Sequence, residues 1–181
     1  MPGDRTMKMD VEGHHAEEIT MKGILLVINH AYLFFGTTLY VGVLWALHFF
    51  FYPTWVKLNL SNVHDHFIIP TQKATDFFTI VVPLMFLTNI VMVVKEWRGR
   101  FRSVSLLALI CIIGATYVGQ VHIIPINKAI NIGLSDEGKL VEMFKDWMLL
   151  NDIRWVIMTV MWLTMMYYFV AKGDLLEKVS E

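Results

Sequence analysis

The chain has 181 residues, of which 56% are hydrophobic and 17% charged, and its formal net charge is −1. Soluble domains carry about 25% charged residues, so this composition favours a protein of the lipid bilayer. Proteins that bind nucleic acids usually need a basic surplus, so no nucleic-acid partner is expected. The single cysteine, Cys111, excludes an internal disulfide and a multi-cysteine metal site.

Four apolar segments predict transmembrane helices, because about 20 apolar residues are enough to cross the hydrocarbon core of a bilayer. The predicted spans are residues 23–52, 77–94, 104–124 and 153–170. Within the second span, Pro83 should kink the helix and Asn89 should hydrogen-bond to a neighbouring helix. The sequence therefore predicts an all-α fold, an integral membrane four-helix bundle over residues 23–171.

Both ends of the chain are predicted to lie in the cytoplasm, residues 1–22 as an amino-terminal arm and residues 172–181 as a carboxy-terminal tail. The short connection at residues 95–102 holds four basic residues in eight positions, and cytoplasmic loops are enriched in lysine and arginine. The predicted location is therefore the cell (inner) membrane, which the chain crosses several times.

The two outer connections, residues 53–76 and 125–152, are long enough to form structured loops. Apolar residues recur at helical spacing between residues 140 and 148, which predicts an amphipathic helix lying on the membrane surface. Ser135 or Asp136 should cap that helix, and Asn151 is a good N-cap for the fourth span.

Histidines concentrate near the outer ends of the spans. His48 and His122 lie at matching depth on two different spans, and ionisable side chains in a membrane usually face the bundle interior. The pair could ligate a haem, or bind copper or iron together with His64 or His66. Interfacial histidines can equally hydrogen-bond carbonyls or water, and His64 and His66 can belong to an ordinary loop. His30, near the inner end, is expected to be a packed polar residue.

Arg154 places a charge at the membrane edge, where the fourth span begins. Its side chain could extend outward to water, or it could pair with Asp76 or Asp152. It could instead bind an anionic group such as a carboxylate or a haem propionate. The sequence does not choose between a structural and a ligand-binding role.

Two segments, residues 122–127 and residues 147–154, resemble the anthrone oxygenase-like family of small four-helix membrane proteins. The first carries a Pro-x-Asn element after the third helix, and the second a Trp…Asn…Arg element at the start of the fourth. The resemblance implies a membrane oxygenase or a related redox role. The positions that it implies around one outer pocket are Pro125, Asn127, Asn151 and Arg154.

Two functions are therefore expected. The first is a membrane redox protein, oxygenase-like or binding haem or a metal, with its site at the outer ends of spans one, three and four. Asn127, Asn151 and Arg154 would then act on a hydrophobic small molecule. The alternative is a non-catalytic accessory subunit of a larger membrane enzyme or respiratory complex, packed against other membrane subunits or copies of itself.

Overall fold

The computed structural model describes the backbone of residues 3–173, and the side chains of residue 21 and residues 23–173. Most of the predicted carboxy-terminal tail, from residue 174 onward, lies outside the described residues. The helices are α1 (Gly3–Ala46), α2 (Tyr52–Trp55), α3 (Ile69–Glu96), α4 (Arg102–Tyr117), α5 (Ile124–Ile132) and α6 (Glu137–Lys172). Three π-helical turns connect some of them, namely Leu47–Phe51, His64–Ile68 and Val118–Ile123.

Four helical stretches are long and apolar enough to cross a membrane: Gly23–Trp55, His64–Glu96, Arg102–Ile132 and Glu137–Lys172. They confirm the prediction of an all-α four-helix membrane bundle. The second and fourth stretches begin earlier than predicted, because the polar residues that precede their apolar cores continue the same helices. The helix α1 likewise extends back to Gly3, through the segment predicted as an amino-terminal arm.

The four long helices form a ring in which α1 contacts α3 and α6, and α4 contacts the same two helices. Polar contacts show that neighbours run antiparallel. Asn29 Nδ2 donates to the carbonyl of Thr88 at 2.9 Å, which joins α1 to α3. Large apolar side chains cover the outside of the ring, as expected for helices surrounded by lipid.

The amphipathic segment at residues 140–148 is not a separate surface helix, and that prediction is wrong. The segment forms the first part of α6, with Leu140, Phe144 and Trp147 buried inside the protein. Asp136 caps α6 as predicted, since its Oδ1 accepts a hydrogen bond from the Gly138 amide at 2.8 Å. Asn151 therefore lies within α6, and its predicted role as an N-cap is also wrong.

Loss of the Asp136 cap should loosen the start of α6. Asp136→Ala is expected to lower the free energy of unfolding by about 1 kcal/mol, because an amide of the first turn loses its acceptor. Asp136→Asn is the matched control and should change stability by less, because asparagine caps about as well as aspartate. Thermal unfolding in detergent compares the two variants, and equal losses would contradict the capping role.

The connections gather at one end of the bundle, which we call the cap end, into a second hydrophobic core, the cap cluster. Its buried members are Trp55, Leu58, Val63, Phe67, Ile123, Ile130, Leu140, Phe144 and Trp147. Four of them are aromatic, and their rings meet edge-on or tilted, with Phe67 and Phe144 centroids 4.7 Å apart. The two outer connections are therefore structured, as predicted. The opposite end of the bundle carries the basic loop at residues 95–102.

Each π-helical turn ends two residues before a proline. The prolines are Pro53, Pro70 and Pro125, and each lies at the start of the following α-helix. A proline lacks an amide proton, and its ring clashes with the carbonyl of residue i−4, so a preceding α-helical turn cannot close in the usual way. The wider π turns accommodate these prolines at the cap end, and π turns are frequent at functional sites.

The prediction that Asn89 hydrogen-bonds between helices is wrong. Its side chain is fully buried in the bundle, yet neither Nδ2 nor Oδ1 has a hydrogen-bond partner among the described residues. His30 is buried as predicted, with its ring against that of Tyr168.

An unpartnered buried amide should destabilise the bundle. Asn89→Leu is expected to raise the free energy of unfolding by about 1–2 kcal/mol, because leucine removes the cost of burying the amide at similar volume. Thermal unfolding in detergent measures the change. Thr88→Leu, at a half-buried site on the same helix where the hydroxyl is already hydrogen-bonded, is the control. A destabilised Asn89→Leu protein would show that the amide is hydrogen-bonded in the membrane.

Candidate functional site

A cavity of about 450 Å³ lies between the helices beneath the cap cluster. This volume is in the range of about 300–1,000 Å³ that is typical of sites for small molecules. All four membrane-crossing stretches contribute to its wall. The residues on which its chemistry depends are Tyr40, Phe78, Asn127, Trp147, Asn151 and Arg154.

Arg154 is the polar centre of this cavity. Its Nη1 donates to Asn151 Oδ1 at 2.9 Å, and its Nη2 donates to the hydroxyl oxygen of Tyr40. The guanidinium also lies over the Tyr40 ring, with Cζ 5.2 Å from the centroid. Nε is buried and has no hydrogen-bond partner among the described residues. Arg154 thus turns inward, and two of its three nitrogens are held by neutral groups.

The two asparagines belong to the same hydrogen-bond network. Trp147 Nε1 donates to Asn127 Oδ1 at 2.7 Å, and Asn151 Nδ2 donates to the Trp147 carbonyl at 2.9 Å. Trp147 therefore links Asn127 on α5 to Asn151 and Arg154 on α6. The structure places all three candidate catalytic residues on one cavity wall.

Much of the remaining wall is apolar, or is polar with its hydroxyl protons already hydrogen-bonded within the same helical stretch. Thr71, Thr75 and Thr79 follow one face of α3 into the cavity. Each hydroxyl donates to the carbonyl four residues earlier in the chain, at 2.6–2.8 Å. Such back-bonding uses the hydroxyl protons, so these threonines offer the cavity methyl groups and acceptor oxygens. Arg154 is consequently a strong donor in a weakly polar surround.

His48 is not among the residues that line this cavity. Its Nδ1 is 2.9 Å from Asp152 Oδ1, and its ring stacks on Trp155 at 4.8 Å between centroids. These contacts join α1 to α6, and they leave Asp152 engaged away from Arg154. His48 therefore has a structural role in the packing of two helices.

The other predicted metal ligands are dispersed. His122, His64 and His66 are exposed, with His122 against the Tyr117 ring and His64 Nδ1 bonded to the neighbouring Asp65. Within the described part of the chain, no group of three or more His, Cys, Asp or Glu side chains could hold a metal ion. The structure therefore does not bring the four histidines together. An exposed His122 and an engaged His48 also fit poorly as axial ligands of one haem.

Tyr40 and Gly119 could not be assigned to the site from the motifs. Tyr40 belongs to the buried face of α1, which recurs every three or four residues through Leu33, Thr37 and Leu44, and this spacing could have identified it. Gly119 packs beside Arg154, and an added Cβ would lie in ordinary contact with the guanidinium, 3.6 Å from Cζ. No spacing rule connects a glycine on one helix with an arginine on another.

No protein-family model matches this chain, and no curated protein and no solved structure matches it significantly.

Proposed function

We propose that this multi-pass membrane protein takes a hydrophobic small molecule from the bilayer and binds it in the cavity, with a polar oxygen of that molecule at Arg154. The observation that carries the proposal is a cavity of suitable volume and largely apolar wall, in which Arg154 is the one charged side chain among the described lining residues. Binding sites for small molecules have this composition, with an apolar wall and a few convergent polar groups.

The route of entry follows from the positions of two lining residues. Val43 on α1 and Thr79 on α3 line the cavity and are also exposed on the outside of the bundle. The cavity therefore reaches the surface between these two helices, on the side that lipid covers. A hydrophobic molecule can enter there without crossing water.

The reaction that we propose is an oxygenase-like or other redox conversion of the bound molecule. The support is the resemblance of residues 122–127 and 147–154 to the anthrone oxygenase-like family, together with the location of Asn127, Asn151 and Arg154 on one wall. Oxygen uptake after addition of anthrone, compared between the parent and Arg154→Gln, tests this part. Uptake that is absent from the parent, or equal in both, would contradict it.

We propose the cell (inner) membrane as the location, with both termini in the cytoplasm. The support is the basic loop at residues 95–102, since such loops face the cytoplasm. Within it, Arg100 Nη2 donates to the Ala171 carbonyl at 2.9 Å, which ties the loop to the end of α6. A cysteine at Gly99 that reacts with an impermeant thiol reagent in intact cells would contradict this orientation.

Filling the cavity should abolish ligand binding. Ala74 lines the cavity on α3, so Ala74→Phe is expected to displace the ligand by occupying its space. The probe is the methyl ester of dibrominated octadecanoic acid, whose bromines quench the fluorescence of nearby tryptophans such as Trp55 and Trp147. We expect saturable quenching in the parent protein and at least a tenfold weaker saturable component in Ala74→Phe.

The matched control is Ile80→Phe on the same helix, at a side chain that is 67% exposed and does not line the cavity. This variant should bind the ester like the parent, because its added ring faces lipid. Identical quenching in the parent and in Ala74→Phe would show that the ester binds only on the outer surface, and it would overturn the proposed binding function.

A further inference from the structure

We infer that the cavity selects a molecule with an anionic head, a carboxylate on a single hydrophobic chain or ring system. The inference rests on the proposed function and specifies its substrate class. It follows from the charge of Arg154, from the neutral acceptors that surround it and from the protons that remain on its terminal nitrogens.

Arg154 has no counter-charge in the protein. Among the described residues that line the cavity, it is the one charged side chain. The nearest acid in sequence, Asp152, is bonded to His48, and no ion pair joins either Asp152 or Asp76 to Arg154 in the described structure. The two groups that accept its hydrogen bonds, Tyr40 and Asn151, are neutral. The pairing with Asp76 or Asp152 that the sequence allowed is therefore wrong.

Arg154 is half-buried, and a charge that is partly withdrawn from water without a counter-charge costs free energy. Buried charges are normally paired, and removal of one partner from a buried pair is strongly destabilising. Arginine cannot lose its proton to avoid this cost, because it stays protonated at any pH that a protein encounters. An anion that enters with the ligand would provide the missing counter-charge.

The anion would bind at the terminal nitrogens of Arg154, because surrounding protein atoms close off Nε. Nη1 and Nη2 each carry two protons, and the bonds to Asn151 and Tyr40 use one proton of each. Arg154 lines the cavity, so an acceptor placed beside these nitrogens completes the hydrogen bonding of the guanidinium. A carboxylate is suited to this role, because arginine and carboxylate pair in a planar, charge-assisted geometry. The phenol of Tyr40 and the amide of Asn151 hold the guanidinium in place for it.

The cavity accommodates a narrow tail. The cavity wall carries the apolar residues Leu44, Phe78 and Val82, and the threonines of α3, whose hydroxyl protons are already used in hydrogen bonds. A volume of about 450 Å³ suits one hydrocarbon chain or a small fused-ring system. It is too small for a complete phospholipid with two chains.

The test compares two probes that differ only in charge, dibrominated octadecanoic acid and its methyl ester, by quenching of tryptophan fluorescence in nanodiscs of phosphatidylcholine. We expect the parent protein to bind the acid about 10–100 times more tightly than the ester. This ratio corresponds to the free energy that one hydrogen-bonded charge pair contributes to binding. Arg154→Gln should bind the acid no better than the ester. Equal affinity of the parent for both probes would overturn the inference.

Two more comparisons identify the cationic residue and the anionic group. Arg154→Lys keeps the positive charge and should retain part of the preference for the acid over the ester. If the preference is unchanged in Arg154→Gln, the cationic residue is not Arg154 and the assignment is overturned. Phosphatidylglycerol should not compete with the acid. If it displaces the acid, the site binds a phosphate head, and the choice of a carboxylate is overturned. The proposed function fails separately, if Ala74→Phe leaves the binding of both probes unchanged.

Discussion

Replacing Trp147 with alanine is expected to lower the free energy of unfolding by about 3–5 kcal/mol, the range for removal of a buried tryptophan. The side chain is 3% exposed, and its ring meets those of Trp55 at 5.4 Å and Phe67 at 5.1 Å. Its loss would leave a void at the centre of the cap cluster. It would also remove the donor to Asn127 Oδ1. Chemical or thermal unfolding in detergent measures the loss.

The control for this prediction is Trp147→Phe, which keeps a ring in the cluster and removes the indole N–H. We expect it to lose less than half as much stability as the alanine variant, and to weaken probe binding because Asn127 is no longer held. Phe144→Ala, in the cap cluster but away from the cavity wall, should destabilise the protein without a specific effect on binding. Equal stability of Trp147→Ala and the parent would contradict the packing of the cap.

The end of the bundle opposite the cap contains a buried acid that depends on one lysine. Glu96 Oε1 accepts hydrogen bonds from the Lys172 ammonium and, at 2.9 Å, from the Tyr168 hydroxyl. The Glu96 side chain is 9% exposed and that of Lys172 is 43% exposed. His30 Nε2 lies 3.4 Å from the same hydroxyl, so three helices meet at this network.

Lys172→Met is expected to lower the free energy of unfolding by about 2–3 kcal/mol, because it leaves the Glu96 carboxylate buried without a counter-charge. This is less than the roughly 3–5 kcal/mol of a fully buried pair, since Lys172 is partly exposed. The control is the double variant Glu96→Gln with Lys172→Met, which removes the charge as well and should regain most of the loss. Thermal unfolding compares the three proteins, and equal losses in the single and double variants would contradict the pairing.

The sequence was sufficient to predict the four membrane helices, since each has a long apolar run. It also predicted the Asp136 cap and the burial of His30. Helix ends were less predictable. The apolar face of residues 140–148 could lie on the membrane surface or pack inside the protein. It packs inside because Trp55 and Phe67 contact it, and the spacing of residues 140–148 does not reveal these partners.

The candidate site was predictable in part. The motif residues Asn127, Asn151 and Arg154 were identified, and they line one cavity. Matching depth makes His48 and His122 candidate ligands, but depth along a helix does not determine which face carries a side chain. His48 turns to Asp152, and His122 is exposed. The lack of a counter-charge at Arg154 depends on contacts between helices, which no sequence pattern contains.

The central claim is that the cavity binds a hydrophobic acid with its carboxylate at Arg154. Its most direct test is a crystal structure, in a lipid mesophase, of the protein with dibrominated octadecanoic acid, in which anomalous scattering locates the bromines. We predict bromine peaks inside the cavity, and carboxylate density within hydrogen-bond distance of Arg154 Nη1 or Nη2. Bromine peaks confined to the lipid-facing surface, with no density beside Arg154, would contradict this claim.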